Sequence, residues 1–103
     1  MVIIAKSALK TFIKYYPDAE QALENWYEII KQNDWKNFNE MKTSFNTADS
    51  VGNGRYVFNI KGNEYRLVAD IEYKIGIVFI VWIGTHKEYD KKNIKEIKYV
   101  KGN

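Results

Sequence analysis

Ile77-Val78-Phe79-Ile80-Val81-Trp82-Ile83, bounded by Gly76 and Gly84, is the longest apolar run of the chain. Its β-branched and aromatic side chains predict a strand buried on both faces. Working back toward the N-terminus, Glu64–Tyr73 has a period of two: Tyr65, Leu67, Ala69, Ile71 and Tyr73 point one way, and Glu64, Arg66, Val68, Asp70 and Glu72 the other. In Arg55–Ile60, Tyr56, Phe58 and Ile60 share one face. Lys61-Gly62-Asn63 and Lys74-Ile75-Gly76 supply the turns that join these segments. The second half of the chain therefore reads as an antiparallel meander. It is preceded by residues 46–54, NTADSVGNG, whose small polar composition reads as a loop.

The first half is helical in period. Val2-Ile3-Ile4 is long enough for a short pairing strand, and Ser7 is placed to cap a helix bearing Ala8, Leu9, Phe12, Ile13 and Tyr16. Pro17 ends that helix, and Asp18 starts a longer one with Ala19, Ala22, Leu23, Trp26, Ile29 and Ile30 on one stripe. Trp35, Phe38, Met41 and Phe45 indicate a third, shorter helical turn. Helices followed by a meander predict an α+β fold, helices on one face of a small, mainly antiparallel sheet. The other face, carrying Arg66 among acidic residues, is expected to be open and concave. The tail has a weak amphipathic pattern in Ile94, Ile97 and Val100.

At 103 residues the chain is expected to form one domain spanning 1–103. It has no cysteine, which excludes a disulfide framework and thiolate zinc sites. The opening MVIIAKSALK is not a secretory signal, and no apolar run approaches the roughly 20 residues that span a bilayer. A cytoplasmic location without membrane contact is the expectation. The net charge of +3 comes entirely from residues 86–103, where Lys87, Lys91, Lys92, Lys95, Lys98 and Lys101 outweigh Glu88, Asp90 and Glu96. A basic tail on a neutral body suits a polyanion or an acidic partner, although a solvated tail would look the same. Only Arg55 and Arg66 break the preference for lysine.

The one histidine, His86, stands where the apolar strand leaves the core, in Thr85-His86-Lys87-Glu88-Tyr89-Asp90. A lone histidine without cysteine or an HExxH motif gives no metal site, Gly52-Asn53-Gly54 is no phosphate cradle, and no serine sits at a nucleophile elbow. Metal-free RNA cleavage fits better, because RNA carries its own 2′-hydroxyl nucleophile. Such an enzyme needs a base, an acid and fixed cations for the phosphorane, each acid–base group contributing about 10²–10⁴-fold. His86, Tyr89, Lys61 or Lys87, and Arg66 could supply that set. Each also has a structural reading: His86 as a strand-end residue, Tyr89 as packing, Arg66 as the ion-pair partner of Glu64, Asp70 or Glu72.

Tyr56-Val57-Phe58-Asn59-Ile60, Gly62-Asn63-Glu64-Tyr65-Arg66-Leu67-Val68 and Thr85-His86-Lys87-Glu88-Tyr89-Asp90, with Ser7-Ala8-Leu9-Lys10 and Tyr16-Pro17 upstream, resemble the HigB toxin family of type II toxin–antitoxin modules. The resemblance spans essentially the whole chain, and its most specific elements are G-N-x-x-R and T-H-x-E-Y-D. It implies a RelE-like fold and ribosome-dependent mRNA cleavage with neither metal nor cofactor. It also implies neutralisation by a helix-turn-helix HigA-like antitoxin, with promoter DNA reached only through the antitoxin complex. Carried over by position, Arg66 is a phosphate stabiliser, and His86 and Tyr89 are candidates for acid–base or base-stacking roles. Asn63 matches the turn. Lys61, at a position where the family varies, joins Asn63, Lys87, Lys91 and Lys92 as candidate RNA contacts. The rival readings are a RelE-fold toxin that acts by binding alone, a degenerate partner-binding module, and a plain RNA-binding domain.

Overall fold

The computed structural model describes residues 1–97. Its strands are β1 (Val2–Ile4), β2 (Asp49–Gly52), β3 (Arg55–Ile60), β4 (Tyr65–Glu72) and β5 (Ile77–Thr85). Helices α1 (Lys6–Tyr15), α2 (Glu20–Gln32) and α3 (Phe38–Ser44) lie between β1 and β2, and a short α4 (His86–Asp90) follows β5. The strands form one sheet in the order β1-β5-β4-β3-β2. Only the β1–β5 pair is parallel. This is the α+β, RelE-like arrangement that the sequence predicts.

The period-two reading of β3 and β4 is met in the packing. Tyr56, Phe58 and Ile60 join Tyr65, Leu67, Ala69 and Ile71 in one core with Leu9 of α1, Leu23, Trp26 and Ile30 of α2, and Met41 of α3. Each fully buried aliphatic side chain here contributes about 1.5–3 kcal/mol relative to exposure. Trp26 meets Phe58 edge-on at 5.6 Å between ring centroids, joining helix layer to sheet.

Five expectations need correction. Residues 49–52 are an edge strand, not loop: Asp49 pairs with Val57 and Ser50 with Tyr56, with a bulge before Gly52. Backbone pairing decides this, since Val51 is its only apolar side chain. Ser7 does not cap α1, whose cap position is Ala5 without a side-chain bond. Nor does Asp18 cap α2. Pro17–Ala19 forms a single 3₁₀ turn leading into that helix, and the Asp18 carboxylate is turned toward the sheet.

The fourth correction concerns β5, which is not buried on both faces. Its ladder with β4 pairs Ala69 with Ile80 but Val68 with Trp82, so Val81 is an extra residue. The bulge lets Val78, Ile80 and Ile83 all face the helices, while Trp82 and Val81 join Val57 and Val68 on the outer face. β1 covers only Ile77, Val78 and Phe79, so β5 is strand-paired on one side alone from Ile80 onward.

The outer face is also less open than expected. Ile94 is buried and Ile97 half-buried against Val57 and Val68. Arg55 secures this segment: its guanidinium donates to the carbonyls of Ile94 (2.9 Å) and Ile97, and it meets Asp70 bidentately at 2.6 and 2.9 Å. The weak amphipathic pattern thus corresponds to apolar packing at Ile94 and Ile97, whereas Val100, Lys98 and Lys101 lie outside the described residues. What remains open is the end of the sheet that carries Arg66.

Candidate nucleic-acid interface

Hairpin register places Arg66 between Asn59 of β3 and Gly84 of β5, on the outer face. Immediately after β5 the chain turns into α4 through a capping box. Thr85 Oγ1 accepts from the Glu88 amide at 3.1 Å, and Glu88 Oε1 accepts from the Thr85 amide at 2.8 Å. The His86 amide donates to the Glu64 carbonyl at 3.0 Å, pinning the first residue of α4 to the β3–β4 turn. That bond brings the T-H-x-E-Y-D and G-N-x-x-R elements into one site.

Arg66 makes no ion pair among the described residues, so its alternative reading as the partner of Glu64, Asp70 or Glu72 is not what the structure shows; Asp70 is taken by Arg55. Arg66 Nη2 instead donates to Asn63 Oδ1 at 2.6 Å. Weaker contacts run at 3.4 Å from Nη1 to the carbonyls of Asn63 and Tyr65. The guanidinium carbon lies 5.7 Å from the Tyr89 ring centroid, within cation–π range. A neutral partner set fixes the guanidinium without cancelling its charge.

His86 stands beside it, with Nδ1 at 3.3 Å from both Arg66 Nη2 and the Asn63 carbonyl oxygen, and Nε2 at 3.2 Å from Asp90 Oδ2. A guanidinium has only donors. When Nδ1 accepts from Arg66, the ring proton therefore sits on Nε2 and donates to Asp90. When the ring gains a second proton, Nδ1–H has the Asn63 carbonyl as acceptor and Asp90 faces the cation. Both protonation states find partners in the same geometry, as a proton carrier requires.

Three residues of this site were not among the sequence candidates. Asp90 orients His86, a relation that the i,i+4 spacing reveals once His86–Asp90 is seen as helix; the Thr85-x-x-Glu88 box was the available signal. Trp82 lies beside Tyr89 with ring centroids 6.3 Å apart. Gly84 makes room for it: a Cβ there would fall 2.3 Å from the Trp82 ring.

The lysines separate. Lys61 is engaged with Asp18 Oδ2 at 2.8 Å, and Tyr65 donates its hydroxyl to Asp18 Oδ1 at 2.6 Å. These bonds hold the Asp18 carboxyl below its ordinary range and Lys61 above its own, and the Asp18 bond pushes Tyr65 up to about 12. Lys61 and exposed Lys87 line a shallow cleft of about 510 Å³ together with Tyr16, Asn63 and His86. Lys91 and Lys92 are exposed just past α4. The structure thus gathers Arg66, His86, Tyr89 and Asn63 in one place, with Lys61 and Lys87 on the rim. Among the described residues no three His, Cys, Asp or Glu side chains cluster as a metal site would need, and no helix is long and apolar enough to cross a membrane.

Residues 19–92 match the family model HigB_toxin, described as the RelE-like toxic component of a toxin-antitoxin system. The chain is 34% identical over 93 residues to the mRNA interferase HigB of Escherichia coli O6:H1 (strain CFT073), covering 88% of this chain and 90% of that protein. It is 33% identical over 92 residues to the mRNA interferase toxin HigB of Escherichia coli K12, covering 87% and 88%. With T-H-x-E-Y-D and G-N-x-x-R joined in one site on a RelE-like sheet, the chain belongs to the HigB toxin family.

Proposed function

We propose that this chain is a type II toxin that cleaves mRNA on the translating ribosome, in the cytoplasm, without metal or cofactor, and is neutralised by a HigA-like helix-turn-helix antitoxin. The observation that carries the reading is the unneutralised guanidinium of Arg66, held by Asn63 within 3.3 Å of His86 Nδ1. A phosphate bound by Arg66 lies within reach of that nitrogen.

In this mechanism the 2′-oxygen attacks the adjacent phosphorus as its proton is removed. The bond to the 5′-oxygen breaks, and that oxygen is protonated. The products are a 2′,3′-cyclic phosphate and a free 5′-hydroxyl. Arg66 carries the charge of the phosphorane. His86 moves a proton at Nδ1 while Asp90 holds Nε2. Tyr89, under the guanidinium, shapes its position and offers a face for a base, since stacked bases favour aromatic surfaces. Asn63, Lys61, Lys87, Lys91 and Lys92 contact the RNA backbone around this centre.

A modest net charge of +3 is compatible with an enzyme whose substrate is positioned by the ribosome. Primer extension on cellular mRNA after brief induction tests the reading. Cuts inside translated codons, present with wild type and absent with His86→Ala, are expected. Growth arrest with no cuts would replace this reading with a toxin that acts by binding.

A further inference from the structure

Gly84 has no backbone reason to be glycine, because its φ is not positive, unlike that of Gly54 or Gly62. The reason is space. A Cβ there would fall 2.3 and 2.4 Å from two carbons of the Trp82 ring, so the indole leans along the strand over residue 84. Gly84 is also the residue of β5 that faces Arg66 across the ladder. The bulge at Val81 serves the same placement. Without the extra residue, alternation from Ile80 would turn Trp82 toward the helices. With it, Trp82 pairs with Val68 on the outer face, which also carries Arg66. Two departures from a regular strand thus deliver one side chain to one place. There Trp82 meets Tyr89 at 6.3 Å between ring centroids, and both rings pack on the outer cluster of Val57, Val68 and Ile94. Tyr89 in turn lies 5.7 Å from the guanidinium carbon of Arg66. Helix α4 has only five residues, too few to fix a side-chain direction unaided. The capping box and the His86 amide bond hold its first turn, whereas Tyr89 lies near its other end.

We infer that Trp82 is a positioning residue of the Arg66 site: it backs the Tyr89 ring so that this ring stays against the guanidinium. Trp82 touches neither the phosphate nor the reacting atoms; it acts through Tyr89. The inference rests on the reading of Arg66 as the group that carries the phosphorane charge. Asn63 Oδ1 holds Nη2 of Arg66 from the side of the β3–β4 turn, and Tyr89 limits its remaining freedom from the side of α4. When the indole is removed, Tyr89 loses its backing and the guanidinium ranges more widely. A donor that is out of place in the transition state loses rate more than affinity. Trp82 is half-buried on the outer face and lies outside the helix-side core, so its loss leaves that core in place.

The chain has two arginines, and Arg55 Nε is bonded to Asp70, so the side-chain Nε–H resonance of Arg66 can be followed separately at mildly acidic pH. The Tyr89 ring current is expected to hold it upfield. Trp82→Leu is expected to move it downfield, as Tyr89→Leu does. The same variant should lower the single-turnover rate of mRNA cleavage about tenfold, with little change in the mRNA concentration for half-saturation. Trp82→Phe keeps an aromatic face toward Tyr89 and should restore most of both. Lost cleavage with the resonance in its wild-type place would overturn the proposal: with a lower unfolding midpoint Trp82 is a packing residue, and with weaker mRNA binding it is an RNA contact. A moved resonance with wild-type cleavage would overturn it as well. In the wild-type chain, nuclear Overhauser effects from the Tyr89 ring to the Trp82 indole and to the Arg66 δ-methylene are expected. Their absence would overturn the proposal even if Trp82→Leu fails to fold. The resonance needs no RNA. A wild-type chain that cuts nothing would sink the nuclease reading, while the resonance still reports whether Trp82 places the guanidinium.

Discussion

Arg55 and Asp70 face each other across β3 and β4, joined by two hydrogen bonds of 2.6 and 2.9 Å, and the same guanidinium grips the carbonyls of Ile94 and Ile97. With only 11% of its side chain exposed, Arg55 is a structural residue. Removing it leaves Asp70 unpaired and two carbonyls without their donor. Arg55→Ala is expected to lower stability by about 2–4 kcal/mol in urea unfolding. Arg55→Lys should recover little of this, because an ammonium cannot reproduce the planar fork. A wild-type midpoint in either variant would show that the clasp carries no stability.

Arg66 is the opposite case, half-exposed and without a carboxylate partner among the described residues. Arg66→Ala is expected to leave the unfolding midpoint nearly unchanged while reducing cleavage about 10²–10³-fold, the cost of losing one transition-state donor. Unfolding and single-turnover cleavage measured on the same preparation separate the two effects. A large loss of stability with proportionate loss of cleavage would make Arg66 structural.

His86→Ala is expected to reduce cleavage by about 10²–10⁴-fold. Asp90→Asn, which preserves shape but removes the charge behind the ring, should cause a smaller loss. Equal losses would place Asp90 in the chemistry itself, and no loss in Asp90→Asn would remove it from the site.

The Asp18 brace predicts a pH signature. Asp18 is held below its ordinary 3.8, so its contribution is fully present above that value and disappears as pH falls through the lower folded pKa. Lys61 is raised above 10.5, and Tyr65 is raised from 10.0 to about 12. Their contribution is present below the ordinary values and fades as pH rises between about 10 and 12. Asp18→Asn should therefore be less stable than wild type at neutral pH, with the gap closing at both extremes. A gap independent of pH would mean that the brace acts by packing.

Gly84→Ala forces a methyl into the space of the Trp82 indole, 2.3 Å away. A cost of about 1–3 kcal/mol is expected from such overpacking. The Trp82 indole N–H resonance should shift while that of Trp26 stays in place. An unshifted Trp82 signal would show that the ring does not lie over Gly84.

Much of this architecture was legible because strict alternation and a helical stripe report burial directly. β4 shows this best: Tyr65, Leu67, Ala69 and Ile71 face the helices, as their spacing requires. β2 was not legible, since a four-residue edge strand held by backbone bonds leaves almost no side-chain pattern. β5 misled because a seven-residue apolar run hides a bulge: every residue is apolar, so the extra one at Val81 cannot be seen. Position 66 stood out because only two arginines break the preference for lysine and strand alternation turns this one to the outer face, and the G-N-x-x-R element then matched it. Which arginine would claim Asp70 depended on hairpin register, and that follows only once the turn is placed at residues 61–64. The helix of the site escaped notice because five residues are too few for periodicity, leaving the capping box as its only mark.

The Ile94 and Ile97 clasp has a genetic consequence. A stop codon between α4 and residue 94 leaves the helix-side core and the Arg66 site in the chain yet strips the cover from Val57 and Val68, exposing an apolar face. Such truncated chains should associate through that uncovered face while the full-length chain does not, because the loss falls on the outer cover and not on the helix-side core.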